Sequence, residues 1–248
     1  MNPKNNANND RARQNLEALR ANAYPGRGIV VGLDEAGESL VQVYWIMGRS
    51  ANSRNRVFVV EGGCLRTAPA DPSKVADPTL IIYHAMAELP GRYIVTNGDQ
   101  TDTVVQALRV GGDFRQALNT RQYEPDAPNF TPRISALCSL ADGEPWAELA
   151  VLKRSAATNG CERHFFRYET FAPGLGHAVT TYQGDGNPLP PFEGEPFTLP
   201  LDGDIEGVAE SLWGALNKDN RVALAVKFID LSSGASELGV LNRYTATP

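Results

Sequence analysis

Apolar positions along the chain fall into short blocks set apart by polar, Gly and Pro punctuation. The first two blocks, residues 28–33 and 40–47, flank a loop of Asp, Glu, Ala and Gly and predict a β-hairpin. The second block breaks at Gly48. A polar turn carrying Arg49, Arg54 and Arg56 follows, then a third apolar run at 57–60. Further strands are predicted over 64–67, 79–86 and 92–96, with a Pro-punctuated loop at 68–78. Helical spacing then takes over at Val104, Val105, Leu108 and Val110, followed by a second short helix at 114–118. From Ile134 the pattern returns to strands, over 134–140, 148–154, 163–171 and 178–183. A Pro/Gly-rich stretch, 184–200, leads to a helix at 205–218 with Val208, Leu212, Trp213 and Leu216 on one side. A strand at 221–231 and a terminal piece at 237–244 follow.

Ahead of these blocks, residues 1–10 are polar and cannot bury a core, so they are expected to be disordered. Asp10 is placed to cap a short helix over 11–21, with Leu16 and Leu19 as its narrow apolar face, and Tyr24-Pro25-Gly26 ends it. The chain thus divides into an extension, 1–23, and a single domain, 24–248. Strands, two helices, strands, one helix and strands predict an α+β fold. Two mainly antiparallel sheets pack face to face with helices outside, a four-layer αββα sandwich.

Composition narrows the function. The 248 residues are 42% hydrophobic and 21% charged, ordinary for a soluble globular protein. A net charge of -6 argues against a nucleic-acid partner, so attraction for an anionic ligand must be local. Cys64, Cys138 and Cys161 have no CxxC spacing, which implies neither a disulfide framework nor a zinc site and fits a reducing cytoplasm. No stretch has the length and apolarity of a membrane span, and the Asn-rich opening does not resemble a signal peptide. His84, His164 and His177 lack ligand spacing and are read as structural.

Three places carry candidate chemistry. Arg49, Arg54 and Arg56, interleaved with Ser50, Asn52, Ser53 and Asn55, sit between two strands; guanidinium meets phosphate in a bidentate fork, although such a cluster is also compatible with a solvated turn. Asn97-Gly98-Asp99-Gln100 joins a strand to a helix, where an anion or a positioned carboxylate can meet free N–H groups. Residues 123–133, with Tyr123, Glu124, Asp126 and three prolines, form a stiff loop of the kind that serves function.

These motifs carry a resemblance. Tyr24-Pro25-Gly26-Arg27, Gly48-Arg49-Ser50-Ala51-Asn52-Ser53-Arg54-Asn55-Arg56, Asn97-Gly98-Asp99, Tyr123-Glu124-Pro125-Asp126 and Thr131-Pro132-Arg133-Ile134 resemble the archaeal-type inosine monophosphate (IMP) cyclohydrolase family. The resemblance implies the αββα fold of the N-terminal-nucleophile hydrolases without use of that nucleophile. It also implies closure of the second purine ring of 5-formamidoimidazole-4-carboxamide ribonucleotide, giving IMP and water, with no metal or organic cofactor. The partner is then a purine ribonucleotide, and neither a nucleic acid nor a membrane; a monomer and a homo-oligomer are both compatible with the sequence.

On that reading Arg49, Arg54 and Arg56 take the 5′-phosphate or the developing oxyanion, with Arg27 in the second rank and Ser50, Asn52 and Ser53 as neutral donors. Asn97 and Asp99 contact ribose hydroxyls or the carboxamide. Glu124 or Asp126 moves protons, and Tyr123 stacks or donates. Arg133 is a further binding residue that could equally pair with Glu124 or Asp126. Duller roles stand beside these: Asn97-Gly98 is a turn signal, Asp99 a helix cap and Tyr123 a core residue. Two rivals are an amidohydrolase freeing a thiol at Gly63-Cys64 or Gly160-Cys161, and a nucleotide-binding relative without turnover. Against the first, the opening strand begins with no Cys, Ser or Thr.

Overall fold

The computed structural model describes residues 3–75, 82–141 and 143–245, with side chains from Ala7 onward. Strands β1 (Gly28–Leu33) and β2 (Ser39–Met47) are the centre of a six-stranded antiparallel sheet. Its order is completed by β10 (Leu175–Thr180) and β11 (Phe197–Pro200) beyond β1, and by β12 (Arg221–Asp230) and β13 (Ser236–Asn242) beyond β2. The second sheet is a seven-stranded meander in chain order: β3 (Val57–Glu61), β4 (Cys64–Ala68), β5 (His84–Leu89), β6 (Arg92–Thr96), β7 (Arg133–Ser139), β8 (Trp146–Arg154) and β9 (Cys161–Tyr168).

Both central strand faces are buried, which is why they read as continuous apolar runs. On β2, Leu40, Tyr44 and Ile46 enter the core between the sheets, against Met86, Val95 and Ile134. The alternate residues, Val41, Val43 and Trp45, face the helices α1 (Pro3–Ala21) and α5 (Ile205–Ala215) through Leu16, Leu19, Val208 and Leu212. Outside the second sheet, Ile94, Leu137 and Leu152 pack on Val104, Val105 and Leu108 of α3 (Gln100–Arg109) and on Phe114 and Leu118 of α4 (Phe114–Asn119). The result is the expected αββα layering. No helix among the described residues is long and apolar enough to cross a membrane.

The start of β1 is fixed by one close approach. A Cβ on Gly28 would lie 1.9 Å from the Trp45 ring, so only glycine lets the indole cross the strand. The Trp45 Nε1–H donates to the carbonyl of Gly26 at 3.1 Å, and Gly26 holds a left-handed φ of +73°. Arg27, between these two glycines, is thereby aimed from the sheet end.

Several boundaries differ from the pattern reading. The first helix begins at Pro3 rather than after Asp10, so the polar tract is helical from Pro3 on and Asp10 is not its cap. A four-residue helix, α2 (Ala51–Arg54), occupies the cationic turn, because Ser50 and Ser53 form a reciprocal capping box. Val110 lies past the end of α3 and is 86% exposed. Strand β10 begins at Leu175 and ends before Gln183, and β11 lies within the Pro/Gly stretch. The expected strand at 79–86 has its first residues, 79–81, outside the described residues; the rest forms β5, which begins at His84.

His177 on β10 stacks on Tyr168 with ring centroids 3.7 Å apart, and burial pushes its pKa down to about 4. Below pH 6.5 the unfolded chain therefore takes up this proton before the folded one does. Its contribution to stability is complete above pH 6.5 and is lost as pH falls toward 4, up to about 3 kcal/mol in all. Denaturant melts between pH 7 and 4 should show a shallower loss for His177→Phe, which keeps the stack but does not titrate; parallel losses would remove His177 as a cause.

Candidate active site

At the sheet ends where β1 and β7 begin and β2 and β10 finish, a pocket of about 290 Å³ opens. Tyr24, Gly26 and Arg27 enter it ahead of β1, Arg49 and Ser50 between β2 and α2, Asn52 and Ser53 from α2 itself, and Arg56 ahead of β3. Glu124, Asp126, Asn129 and Thr131 come from the loop before β7, and Tyr182 from just past β10.

The floor is an ion pair. Arg27 and Glu124 are only 9% and 3% exposed and meet at 2.9 Å from Nη2 to Oε2, while Arg27 Nη1 donates to the Asn97 carbonyl at 2.9 Å. Burial opposes the Arg27 charge most, but Glu124 overrides it, followed by the nearby Tyr83 and Tyr44 phenols, and the guanidinium is held well above its ordinary pKa. The loop that supplies Glu124 is closed on itself: Glu124 N–H donates to the Thr131 carbonyl at 2.9 Å, and both Asp126 oxygens accept from Thr131, one from its N–H at 2.7 Å and one from its hydroxyl. The Thr131 hydroxyl also meets the Tyr182 phenol at 2.5 Å.

Three arginines of the pocket differ in how their charge is met. Arg27 has Glu124. Arg49 on the rim has Asp185. Arg56 is 4% exposed and donates to the backbone carbonyls of Ser53 at 2.8 Å and Met47 at 3.0 Å, with no carboxylate partner among the described residues. All three surround Tyr24, whose pKa is raised because burial outweighs the pull of Arg56, Arg27 and Arg49. Asn52 adds a buried Oδ1 that accepts no hydrogen bond among the described residues.

The structure gathers Arg27, Arg49, Ser50, Asn52, Ser53, Arg56, Glu124 and Asp126 into one pocket and leaves five other candidates out of its lining. Arg54 does not project with Arg56, because α2 replaces the extended chain that would align them. It turns away to the Gly48 carbonyl, 2.9 Å, and Asn220 Oδ1, 3.1 Å. Asn97 is consumed structurally, donating to the Pro132 carbonyl and accepting from Gln100 and the Ile134 N–H. Asp99 pairs with Arg121 and with Arg133, and its side chain makes no cap bond to α3. Arg133 bonds Asp99 at 2.7 Å and Gln100 Oε1 at 2.5 Å, not Asp126, and adds positive charge behind Glu124. Tyr123 packs edge-on to Phe130 and donates to the Asn159 carbonyl. Asn129, Thr131 and Tyr182 line the pocket without having been assigned roles from sequence; Thr131 lay within a quoted motif, whereas nothing local marks Tyr182. Cys64 and Cys161 lie outside the lining.

A model of the IMP cyclohydrolase-like protein family matches residues 24–234. The chain belongs to this family. Among curated proteins it is similar to the IMP cyclohydrolase of Methanopyrus kandleri, 34% identical over 125 residues, 49% of this chain and 60% of that protein. The IMP cyclohydrolases of Methanocella arvoryzae (31% over 122 residues; 47% and 58%) and Methanococcus maripaludis strain C7 (31% over 119 residues; 46% and 57%) are similar to a like extent. The chain spans about three-fifths of the length of the curated relatives it matches. Helix α1 precedes the matched residues, yet its Leu16 and Leu19 share one apolar cluster with Tyr24 and Tyr182 of the pocket.

A buried guanidinium without a carboxylate calls for an anion. Inorganic phosphate at tens of millimolar should raise the melting temperature of the unaltered protein and of Arg54→Ala by roughly 3–6 °C, and that of Arg56→Met much less. Equal stabilisation of all three would show that Arg56 is not the anion's partner.

Proposed function

We propose that this chain is an IMP cyclohydrolase, closing the second ring of 5-formamidoimidazole-4-carboxamide ribonucleotide. The observation that carries this reading is Arg56, a buried cation lining the pocket with backbone carbonyls for partners and no carboxylate among the described residues. The naming of the archaeal relatives as IMP cyclohydrolases supports the same activity.

Arg56, with Arg49 and the Ser50, Asn52 and Ser53 side chains, takes the 5′-phosphate. The unpartnered Asn52 Oδ1 suits a ligand donor, a ribose hydroxyl or an amide N–H. The reacting groups are neighbours on the imidazole ring, so proximity is supplied largely by the substrate. The carboxamide nitrogen bonds to the formyl carbon and gives up one proton, the carbonyl oxygen takes up one proton to become a hydroxyl, and that hydroxyl leaves as water with the proton lost by the formamido nitrogen as the C=N bond to that nitrogen forms. Glu124 takes the amide proton and returns one to the departing oxygen, while Arg27 holds the carboxylate in place and offsets the charge developing beside it. Asp126 is less suited to proton transfer, since both its oxygens are engaged by Thr131.

Following ring closure by the ultraviolet absorbance of IMP tests the assignment. Unaltered protein should turn over, and Glu124→Gln, which keeps a side chain able to bond Arg27, should lose about 100-fold or more in kcat while binding IMP within about threefold of the unaltered protein. IMP binding without any turnover by the unaltered protein would make it a nucleotide-binding relative instead; full turnover by Glu124→Gln would place proton transfer elsewhere.

A further inference from the structure

Arg49 stands at the pocket rim with its side chain 37% exposed, where a long flexible stem would ordinarily sweep many rotamers. Three contacts hold it in one. Its Nη1 donates to Asp185 Oδ1 and to the Gly186 carbonyl at 3.0 Å, and its guanidinium carbon lies 4.9 Å from the centre of the Tyr24 ring. Each holder is itself held. The Gly186 N–H donates to Asp185 Oδ1 at 3.0 Å, which orients the carboxylate within its own turn. The Tyr24 N–H donates to Asn22 Oδ1 at 3.0 Å, and its ring stacks on Tyr182 with centroids 6.0 Å apart. Further along, the loop bearing Asp185 is tied across the pocket by the Leu189 N–H donating to Asn129 Oδ1 at 3.1 Å.

Both hydrogen bonds that Arg49 makes among the described residues leave from Nη1, so its Nε and Nη2 donors are left for a ligand. Asp185 does not line the pocket, whereas Arg49 and Tyr24 do. The carboxylate therefore holds the guanidinium from outside the pocket lining.

Resting on the nucleotide reading above, we propose that Asp185 is a positioning residue for substrate recognition: it clamps Arg49 over the Tyr24 ring so that the free edge of the guanidinium meets the nucleotide phosphate already ordered. A fixed fork loses less freedom on binding than a mobile one, so the clamp tightens binding although it brings a negative charge near an anion site. The opposite arrangement, a carboxylate competing with phosphate for Arg49, would give the opposite sign.

The test is a double-mutant cycle read by IMP calorimetry and by steady-state ring closure. Asp185→Ala should weaken IMP binding and raise KM by about five- to tenfold, with kcat within about twofold, and Asp185→Glu should recover part of the loss. In an Arg49→Ala background, Asp185→Ala should change IMP affinity by less than about 1.5-fold, because the clamp has nothing left to hold. Tighter IMP binding by Asp185→Ala would overturn the inference in favour of competition. Unchanged binding, or an equal loss with and without Arg49, would overturn it as well. Failure of the unaltered protein to bind IMP would instead overturn the nucleotide reading and this inference together.

Discussion

The Arg27–Glu124 pair links the two sheets at the pocket. Arg27 leads into β1 of one sheet and Glu124 belongs to the loop entering β7 of the other, and both are buried. Removing two charges from water costs several kcal/mol each, and their attraction offsets this only when the remaining hydrogen bonds are also made. Arg27 makes one further such bond, to the Asn97 carbonyl, and the Asn97 side chain in turn fixes Pro132 and Ile134 at the entry to β7. Thus the Asn97-Gly98-Asp99 turn is the brace behind the carboxylate. A Cβ on Gly98 would come 2.7 Å from Arg133 Nη1 and 3.6 Å from Glu124 Oε1, so its bareness lets the turn approach.

Other polar links join the sheets away from the pocket, among them those of Gln42 and Lys227. Gln42 donates to the Tyr93 carbonyl at 2.9 Å, and the fully buried Lys227 bonds Glu88 at 2.5 Å and the Gly63 carbonyl at 2.6 Å. The Lys227 ammonium is met by both partners, whereas the buried Gln42 Oε1 accepts no hydrogen bond among the described residues. The pocket end differs because its cations outnumber what its acids satisfy: Glu124 answers Arg27, Asp185 answers Arg49 from outside, and Arg56 has carbonyl dipoles and no carboxylate among the described residues. A chain with a net charge of -6 thereby keeps a locally cationic pocket.

The layered fold was legible in the sequence because its physics is periodic. Strands apolar on both faces and helices apolar on one leave few arrangements other than αββα. The site was legible only where it is contiguous, as in the run from Arg49 to Arg56. There the pattern groups Arg49, Arg54 and Arg56 as one cluster, whereas Ser50 and Ser53 cap a turn of helix that sends Arg54 away from the pocket. That signal was present, in weaker form than a Ser-x-x-Glu box. Tyr182 and Asp185 could not be read, since they reach Thr131 and Arg49 from across the fold and their local sequence is an ordinary strand exit and turn. Asn97 and Asp99 were read correctly as a special junction, but their side chains serve Gln100, Arg121 and Arg133 rather than the pocket.

A crystal structure with bound IMP tests the central claim most directly. The account predicts phosphate oxygens within about 3 Å of the Arg56 guanidinium and the base end of the nucleotide beside Glu124. A phosphate seated away from Arg56, or a nucleotide bound outside the pocket between Arg56 and Glu124, would contradict it.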